Sequence, residues 1–353
     1  MKSYIWNKLL YAISILIGVI LLVFFLFYAL QIDPTKASLD QRSDAKTRQA
    51  IMQKYGLDRP WYQRFAAYIS DLSPIWVYQN DVATKEEYRY HKIVAFGQEK
   101  VLAIKPPYFG RSMQSGRRVS EMIGRGMRNS GILAISAMLF ALFWGLLFGA
   151  LAAVFKDSWL DRLLITISSI GVSIPSYFSA ILLSITFGYF LKSFTGLNMI
   201  GSLYDLEGNL ALKNLILPAV ALGIRPIAII TQLSRNAMLE VLYEDYIRTA
   251  YAKGLNKFSV IYHHALRNAL NPVITSVSGW FASLLAGAYF VEIIFNFKGL
   301  GFETVRAIET NDFPLILASV LVAALVFVLI NFVVDLSYAW IDPRVKITSK
   351  ANL

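Results

Sequence analysis

His263 and His264 stand side by side in a basic stretch, and paired imidazoles suggest metal binding. Adjacent residues on a helix point about 100° apart, whereas a helical metal pair needs spacing i, i+4. No carboxylate or thiol lies at that spacing, so the pair reads as polar helix surface and no metal site is expected. The sequence has no Walker loop, G-x-x-x-x-G-K-[ST], so the chain is not expected to hold and hydrolyse nucleotide by that device. No catalytic constellation stands out elsewhere. Arg225 asks most for a role: it falls near the middle of an apolar run and precedes Pro226. A charge at membrane depth costs about 2.5 kcal/mol or more, so this side chain must face a cavity or a partner group. Two readings stay open, contact with a carboxylate or a water-filled path, and a structural tie to a neighbouring subunit or to backbone carbonyls. Pro175, among Gly171, Ser173 and Ser176, offers a gate beside a pathway or a close helix contact, and the small residues favour packing.

A membrane must position these residues. The chain has 353 residues, of which 56% are hydrophobic and only 16% charged, and its mean hydropathy is +0.51. A soluble domain of this size is rarely so apolar. The net charge of +11 fits basic flanks of membrane spans better than nucleic acid, for which no motif is present, so no nucleic-acid partner is expected. With no cysteine there is no disulfide framework and no thiolate metal site.

Leu9 to Leu30 carries no charge and is long enough to cross about 30 Å of hydrocarbon. It exceeds the h-region of a signal peptide and no small-residue cleavage site follows, so it reads as a retained span. Residues 31–128 are polar and contain no span. Within them, Ala50 to Ile69 has helical apolar spacing broken at Asp58-Arg59-Pro60, and 73–107 mixes charges with aromatics, suiting a small subdomain or hairpin. Five further uncharged or nearly uncharged runs follow: Ser130 to Phe155, Leu163 to Leu191, Asn214 to Ser234, Pro272 to Val291 and Pro314 to Val334. The second of these, with Gly171 and Pro175, is long enough to be tilted or broken. Six spans place both termini on one side. The short loops on that side and the tail hold Lys156, Arg162, Arg235, Arg248, Lys253, Lys257, Arg267, Arg344, Lys346 and Lys350, which makes that side cytoplasmic.

Between the fourth and fifth runs lies the stretch Glu240 to Thr275. Its apolar residues recur with helical spacing, Gly254 interrupts them where a helix end wants a left-handed residue, and Asn256 can cap the next helix. The expectation is two short amphipathic helices joined by a tight turn. Amphipathic basic helices also lie on anionic lipid. That reading leaves the turn unexplained, whereas a docking surface for a soluble partner explains charge, turn and apolar face together.

Arg248-Thr249-Ala250, Gly254 and His264 to Leu270 resemble the EAA loop of binding-protein-dependent ABC importers. Asp245 to Ala250, Ala252 to Leu255 and His264 to Leu270 are closer still to the dipeptide/oligopeptide permease branch. Arg248 stands where the broad consensus has Glu, and Leu266-Arg267 where it has Leu-Pro, which is the wording of the peptide branch; Asn271 departs from that branch's usual aliphatic residue. Gly56 to Pro60, Phe109 to Ser112, Gly116 to Val119 and Asp342-Pro343-Arg344 are similar to other motifs of the family. Phe297-Lys298-Gly299-Leu300-Gly301 is like its Trp-Pro-Gly-Leu-Gly loop, with 73–107 an insertion.

The resemblance implies an all-α integral membrane protein of the bacterial inner membrane with six transmembrane helices, the type I ABC importer permease fold, enlarged between spans 1 and 2. Its parts would be residues 1–30 as tail and first span, 31–128 as a periplasmic region, 129–341 as a core with five spans, 238–271 as the cytoplasmic coupling loop, and 342–353 as a cytoplasmic tail. The implied partners are a second homologous permease, two ATP-binding cassette ATPases, an extracytoplasmic substrate-binding protein and the bilayer. No cofactor is expected on this chain itself, with ATP and Mg on the ATPases. The implied ATPase-docking residues are Tyr246, Arg248, Thr249, Ala250, Lys253, Gly254, His264, Leu266 and Arg267, and the translocation-path residues Arg225 and Pro175. Substrates across the family include di- and oligopeptides, nickel chelates, glutathione and sugars. A stand-alone secondary transporter is the contrasting class, but it needs ionisable residues in several spans and only Arg225 is present. A membrane anchor bearing 31–128 as a binding domain is the third.

Overall fold

The computed structural model describes residues 2–29, 58–97, 99–204 and 207–341. Residues 50–57 of the Ala50–Ile69 pattern and the Asp342-Pro343-Arg344 motif lie outside them. Among the described residues four helices are long and apolar enough to cross a membrane, and a bent pair makes a fifth. The four are α1 (Lys2–Ala29), α4 (Val119–Val154), α7 (Lys213–Leu242) and α13 (Phe313–Ile341). The apolar run Pro272 to Val291 lies on α10 (Arg267–Gly287) and α11 (Tyr289–Ile294).

The chain divides into two compact units. The first comprises Met1–Ile15, Gly126–Phe302 and Ala323–Leu353. Its core gathers Leu133, Ala137 and Ala141 of α4, Leu222 and Ile230 of α7, and Val291 and Phe295 around α11. Helix α4 meets α7 closely because Gly145 and Gly149 leave room: a Cβ at Gly149 would lie 1.7 Å from the Ser234 Oγ and 2.7 Å from the Thr231 carbonyl oxygen. The Ser234 hydroxyl in turn donates to the Gly145 carbonyl at 3.2 Å. The run Leu163 to Leu191 is broken, as its proline suggests. Helix α5 (Trp159–Ser173) ends at Ile174, which is extended at ψ 124° before Pro175, and α6 (Ser176–Leu183) leaves at an angle of 106°, continuing as a π-helical segment to Phe190. Pro226 does not break α7, which continues to Leu242 and takes in the first residues assigned to the coupling loop.

Beyond α11, the Phe297–Gly301 loop closes over Glu292, which is fully buried. Its carboxylate accepts from the Ser130 hydroxyl and from the Phe302 backbone N–H at 3.0 Å. A Cβ at Gly299 would sit 2.3 Å from that carboxylate, so the Gly-Leu-Gly wording is a packing requirement.

The second unit comprises Leu16–Arg125 and Glu303–Val322. Phe24 and Phe25 pack their rings on Phe65, Trp61 and Tyr68 of α2 (Trp61–Leu72). The 73–107 insertion is the non-helical piece of the fold. Strands β1 (Ile75–Gln79), β2 (His91–Phe96) and β3 (Lys100–Ile104) form an antiparallel sheet in the order β1-β3-β2, with α3 (Val82–Tyr88) between the first two. Its small core is Tyr78, Tyr90, Val101 and Ala103. The Lys105 ammonium stands 5.2 Å from the Tyr88 ring centre and near the rings of Tyr78 and Tyr108, and burial pushes its pKa down. Glu87 holds Arg111 in a bidentate pair at 2.9 and 2.7 Å, and these hydrogen bonds pull the Glu87 pKa down to about 2. Asp312, in the turn between α12 (Leu300–Glu309) and α13, accepts from the Ser112 hydroxyl and the Met113 N–H.

Candidate functional site

The stretch after α7 holds one short helix, α8 (Asp245–Ala252), and then a turn. The expected second short helix is instead the start of a long one. Helix α9 (Lys257–Ser259) passes into a π-helical segment, Val260–Leu266, and without interruption into α10. Hydropathy hides this continuity, because the polar part protrudes from the apolar part of the same helix.

The turn itself follows from two residues. Gly254 takes φ +82°, which costs glycine little and L-residues more. Its N–H donates to the Tyr251 carbonyl at 2.9 Å and that of Leu255 to the Ala250 carbonyl at 3.3 Å, the paired bonds of a left-handed helix end. Two residues later the Asn256 side chain accepts from the Ser259 N–H at 2.7 Å and starts α9.

One face of this hairpin is bound to the protein. Ile247 and Ala250 of α8 bury against Ala237 and Met238 of α7, Ala153 of α4, and Val260 and Ala265 of the π-helical segment. The opposite face is exposed: Tyr246, Arg248, Thr249, Lys253, Gly254 and Arg267 all stand on it. Phe258 and Tyr262 add a stacked aromatic pair, centroids 6.0 Å apart, with Phe258 75% exposed. The Asn268 amide donates to the Tyr246 hydroxyl at 2.7 Å, linking α8 to α10. Three of the residues assigned to docking sit differently. Ala250 is buried, Leu266 is partly buried against the same cluster, and His264 is half-buried with its carbonyl accepting from Asn268. Ala250 and Leu266 pack the hairpin onto its base. His263, next to His264, is exposed and meets the Tyr262 ring edge-on.

Two side-chain links not foreseen from sequence brace that base. Asp161, at the start of α5, accepts both arms of Arg235 on α7 at 2.7 Å, and also the Asp157 N–H at 3.0 Å. Lys156, after α4, donates to the Tyr243 hydroxyl at 3.0 Å, and that bond pushes its pKa up. In the sequence both basic residues read as flanking charge. Only the fold brings Asp161 and Arg235 together.

Arg225 stands on α7 and Pro175 at the start of α6. Pro175 caps α6 at the corner of the bent pair. Nearby, a Cβ on Gly171 would approach the Ile224 side chain at 3.0 Å, which is the close-packing role. Arg225 is half-buried on α7. Along the same face of that helix, seven and eleven residues on, lie exposed Gln232 and Asn236. Gln232 donates to the Ser169 hydroxyl of α5 at 3.3 Å. Thr166, Gln232 and Asn236 then line a cleft of about 620 Å³ together with Asp161, Arg162 and Arg235. A helical period of Thr166, Ser169 and Ser173 was present in the uncharged run, but hydropathy does not register it.

Residues 145–347 match the model of the family described as binding-protein-dependent transport system inner membrane component. Residues 1–130 match that of the N-terminal part of the membrane component of such systems. The dipeptide transport system permease protein DppB of Alkalihalophilus pseudofirmus is 33% identical over 365 residues, covering 98% of this chain and 100% of that one. The glutathione transport system permease protein GsiC of Escherichia coli K12 is 34% identical over 346 residues, covering 98% and 99%. Among solved structures, an inward-facing form of the MetNI methionine ABC transporter superposes with a TM-score of 0.49 at 19% identity, covering 63% of this chain and 97% of that one.

Proposed function

Because the chain belongs to the inner membrane components of binding-protein-dependent transport systems, we propose that it is a permease subunit that passes di- and oligopeptides through the membrane. The observation that carries this reading is the end-to-end similarity to a dipeptide permease and to a permease for glutathione, itself a tripeptide. Import of glutathione or a similar short peptide is the neighbouring reading, favoured by the second of these relatives.

The permease supplies the path and its partners the energy. Two ATP-binding cassette subunits bind ATP and Mg and hydrolyse the nucleotide, a second homologous permease completes the path, and an extracytoplasmic binding protein delivers substrate. Alternating access follows from rocking of the paired permeases. The exposed face of α8 and the turn after it is the docking surface for an ATPase. Tyr246, Arg248 and Lys253 offer aromatic and cationic contacts, and Ile247 and Ala250 anchor them to α4 and α7, so a push on the hairpin moves spans. The excess of Lys and Arg in the same short loops and tail supports a cytoplasmic position for this face and both termini.

Co-purification tests the docking surface. The wild-type chain should bring down an ATPase from the membrane, and a Tyr246→Ala, Arg248→Ala, Lys253→Ala variant should lose it while keeping the second permease. Retention of the ATPase by the triple variant would refute the assignment of this face.

A further inference from the structure

Arg225 has an electrostatic problem that the described side chains leave unsolved. It stands near the middle of α7, with its Nε buried and without a hydrogen-bond partner among the described residues. Nor do the described residues offer its guanidinium an ion pair. The apolar runs from Leu9–Leu30 to Pro314–Val334 themselves contain no Asp or Glu. A guanidinium with a buried, unpartnered Nε at membrane depth calls for a compensating group. On the same side of α7 as Arg225, a row of polar side chains begins seven residues on at Gln232 and reaches Asn236, about 16 Å along the helix at 1.5 Å per residue. Ser169 and Thr166 of α5 join it, and it ends in the polar cleft.

We propose that Arg225 is a carboxylate-binding site within the membrane, placed at the head of the α5–α7 polar track to receive the terminal carboxylate of a transported peptide. The inference rests on the peptide-transport reading above. A carrier of peptides meets side chains of every kind, and the free α-carboxylate is common to them. A guanidinium takes a carboxylate through two parallel N–H bonds, a geometry that lysine does not reproduce. The alternative source of the same chemistry is an Asp or Glu of the second permease, in which case Arg225 is an assembly contact.

The test uses the complete reconstituted complex with its binding protein and a labelled tripeptide, offered as the free acid and as the C-terminal amide. The rate ratio of acid to amide is compared between wild type, Arg225→Gln and Arg225→Lys. Because the binding protein is common to all three, a change in the ratio belongs to the permease. The expected result is that Arg225→Gln still assembles with the second permease but that its ratio falls about tenfold or more, the scale of a charged hydrogen bond, with Arg225→Lys between. An unchanged ratio in Arg225→Gln overturns the proposal. So does loss of the second permease from the Arg225→Gln complex, which would assign the carboxylate to that subunit. If the wild type moves neither acid nor amide, the peptide reading itself fails and takes the inference with it.

Discussion

Replacing Gly254 isolates the contribution of one backbone conformation to coupling. The residue lies at φ +82°, and a Cβ built there meets nothing within 4 Å. A side chain therefore adds no clash, and the penalty is that of the left-handed backbone alone. For valine this is about 1–2 kcal/mol, for alanine less, and for asparagine least, because asparagine tolerates this region. Such a penalty lowers the population of the closed turn by a factor of about 5–30 relative to its open forms. Opening would break the Leu255–Ala250 and Gly254–Tyr251 hydrogen bonds and release the exposed end of α8, while Ile247 and Ala250 stay packed below. The apparent affinity for the ATPase then falls in proportion to the closed population. The assay is substrate-stimulated ATP hydrolysis by the reconstituted complex, titrated with the ATPase subunit. Half-maximal stimulation should shift to higher ATPase concentration in the order Asn, Ala, Val, with membrane abundance and pairing to the second permease unchanged. An unshifted valine variant would show that this turn does not carry docking.

Asp161→Asn leaves the half-buried Arg235 without its carboxylate and should cost about 3 kcal/mol, read as a lowered thermal midpoint of the purified complex. The double variant with Arg235→Gln should regain part of it. Gly149→Ala should destabilise by about 1–3 kcal/mol because its Cβ collides with Ser234 and the Thr231 carbonyl, whereas Gly131→Ala, which meets open space, should be neutral or better in the same melting assay. The sheet of the second unit should weaken in acid. Since the folded pKa of Glu87 is about 2, below the ordinary 4.5, its contribution is complete above pH 4.5 and is lost as pH falls toward 2. Protection factors of β2 and β3 amides, corrected for the intrinsic exchange rate at each pH, should fall over that window in wild type and lose that pH dependence in Glu87→Gln.

Local chemistry was readable in advance. Gly254 and Asn256 set the turn because a positive φ and an N-cap depend on one or two residues, and Pro175 broke its span for a similar reason. Helix lengths were less readable. α7 runs on to Leu242 and α10 begins within the polar stretch, since a helix leaving the apolar region changes composition without changing conformation. The polar track was hidden because Thr166, Ser169 and Ser173 carry no charge and their run scores as apolar throughout. Asp161 with Arg235, and Glu292 with Ser130, are pairs far apart in sequence, which spacing cannot reveal. The motif assigns Ala250 and Leu266 to the docking stretch, whereas their inward positions follow from which side of the hairpin α7 covers. In 73–107 the mixed charges and aromatics indicated a subdomain, while the strand order β1-β3-β2 needed the structure.

The most direct measurement of the central claim is uptake of a labelled dipeptide into proteoliposomes containing this chain, the second permease and the ATPases, with binding protein on the side opposite the ATP. Uptake should require ATP on the ATPase side and should fall to background when the Tyr246, Arg248 and Lys253 side chains are removed together. Uptake driven by an ion gradient without ATP, or uptake that persists in full in that variant, would contradict the account.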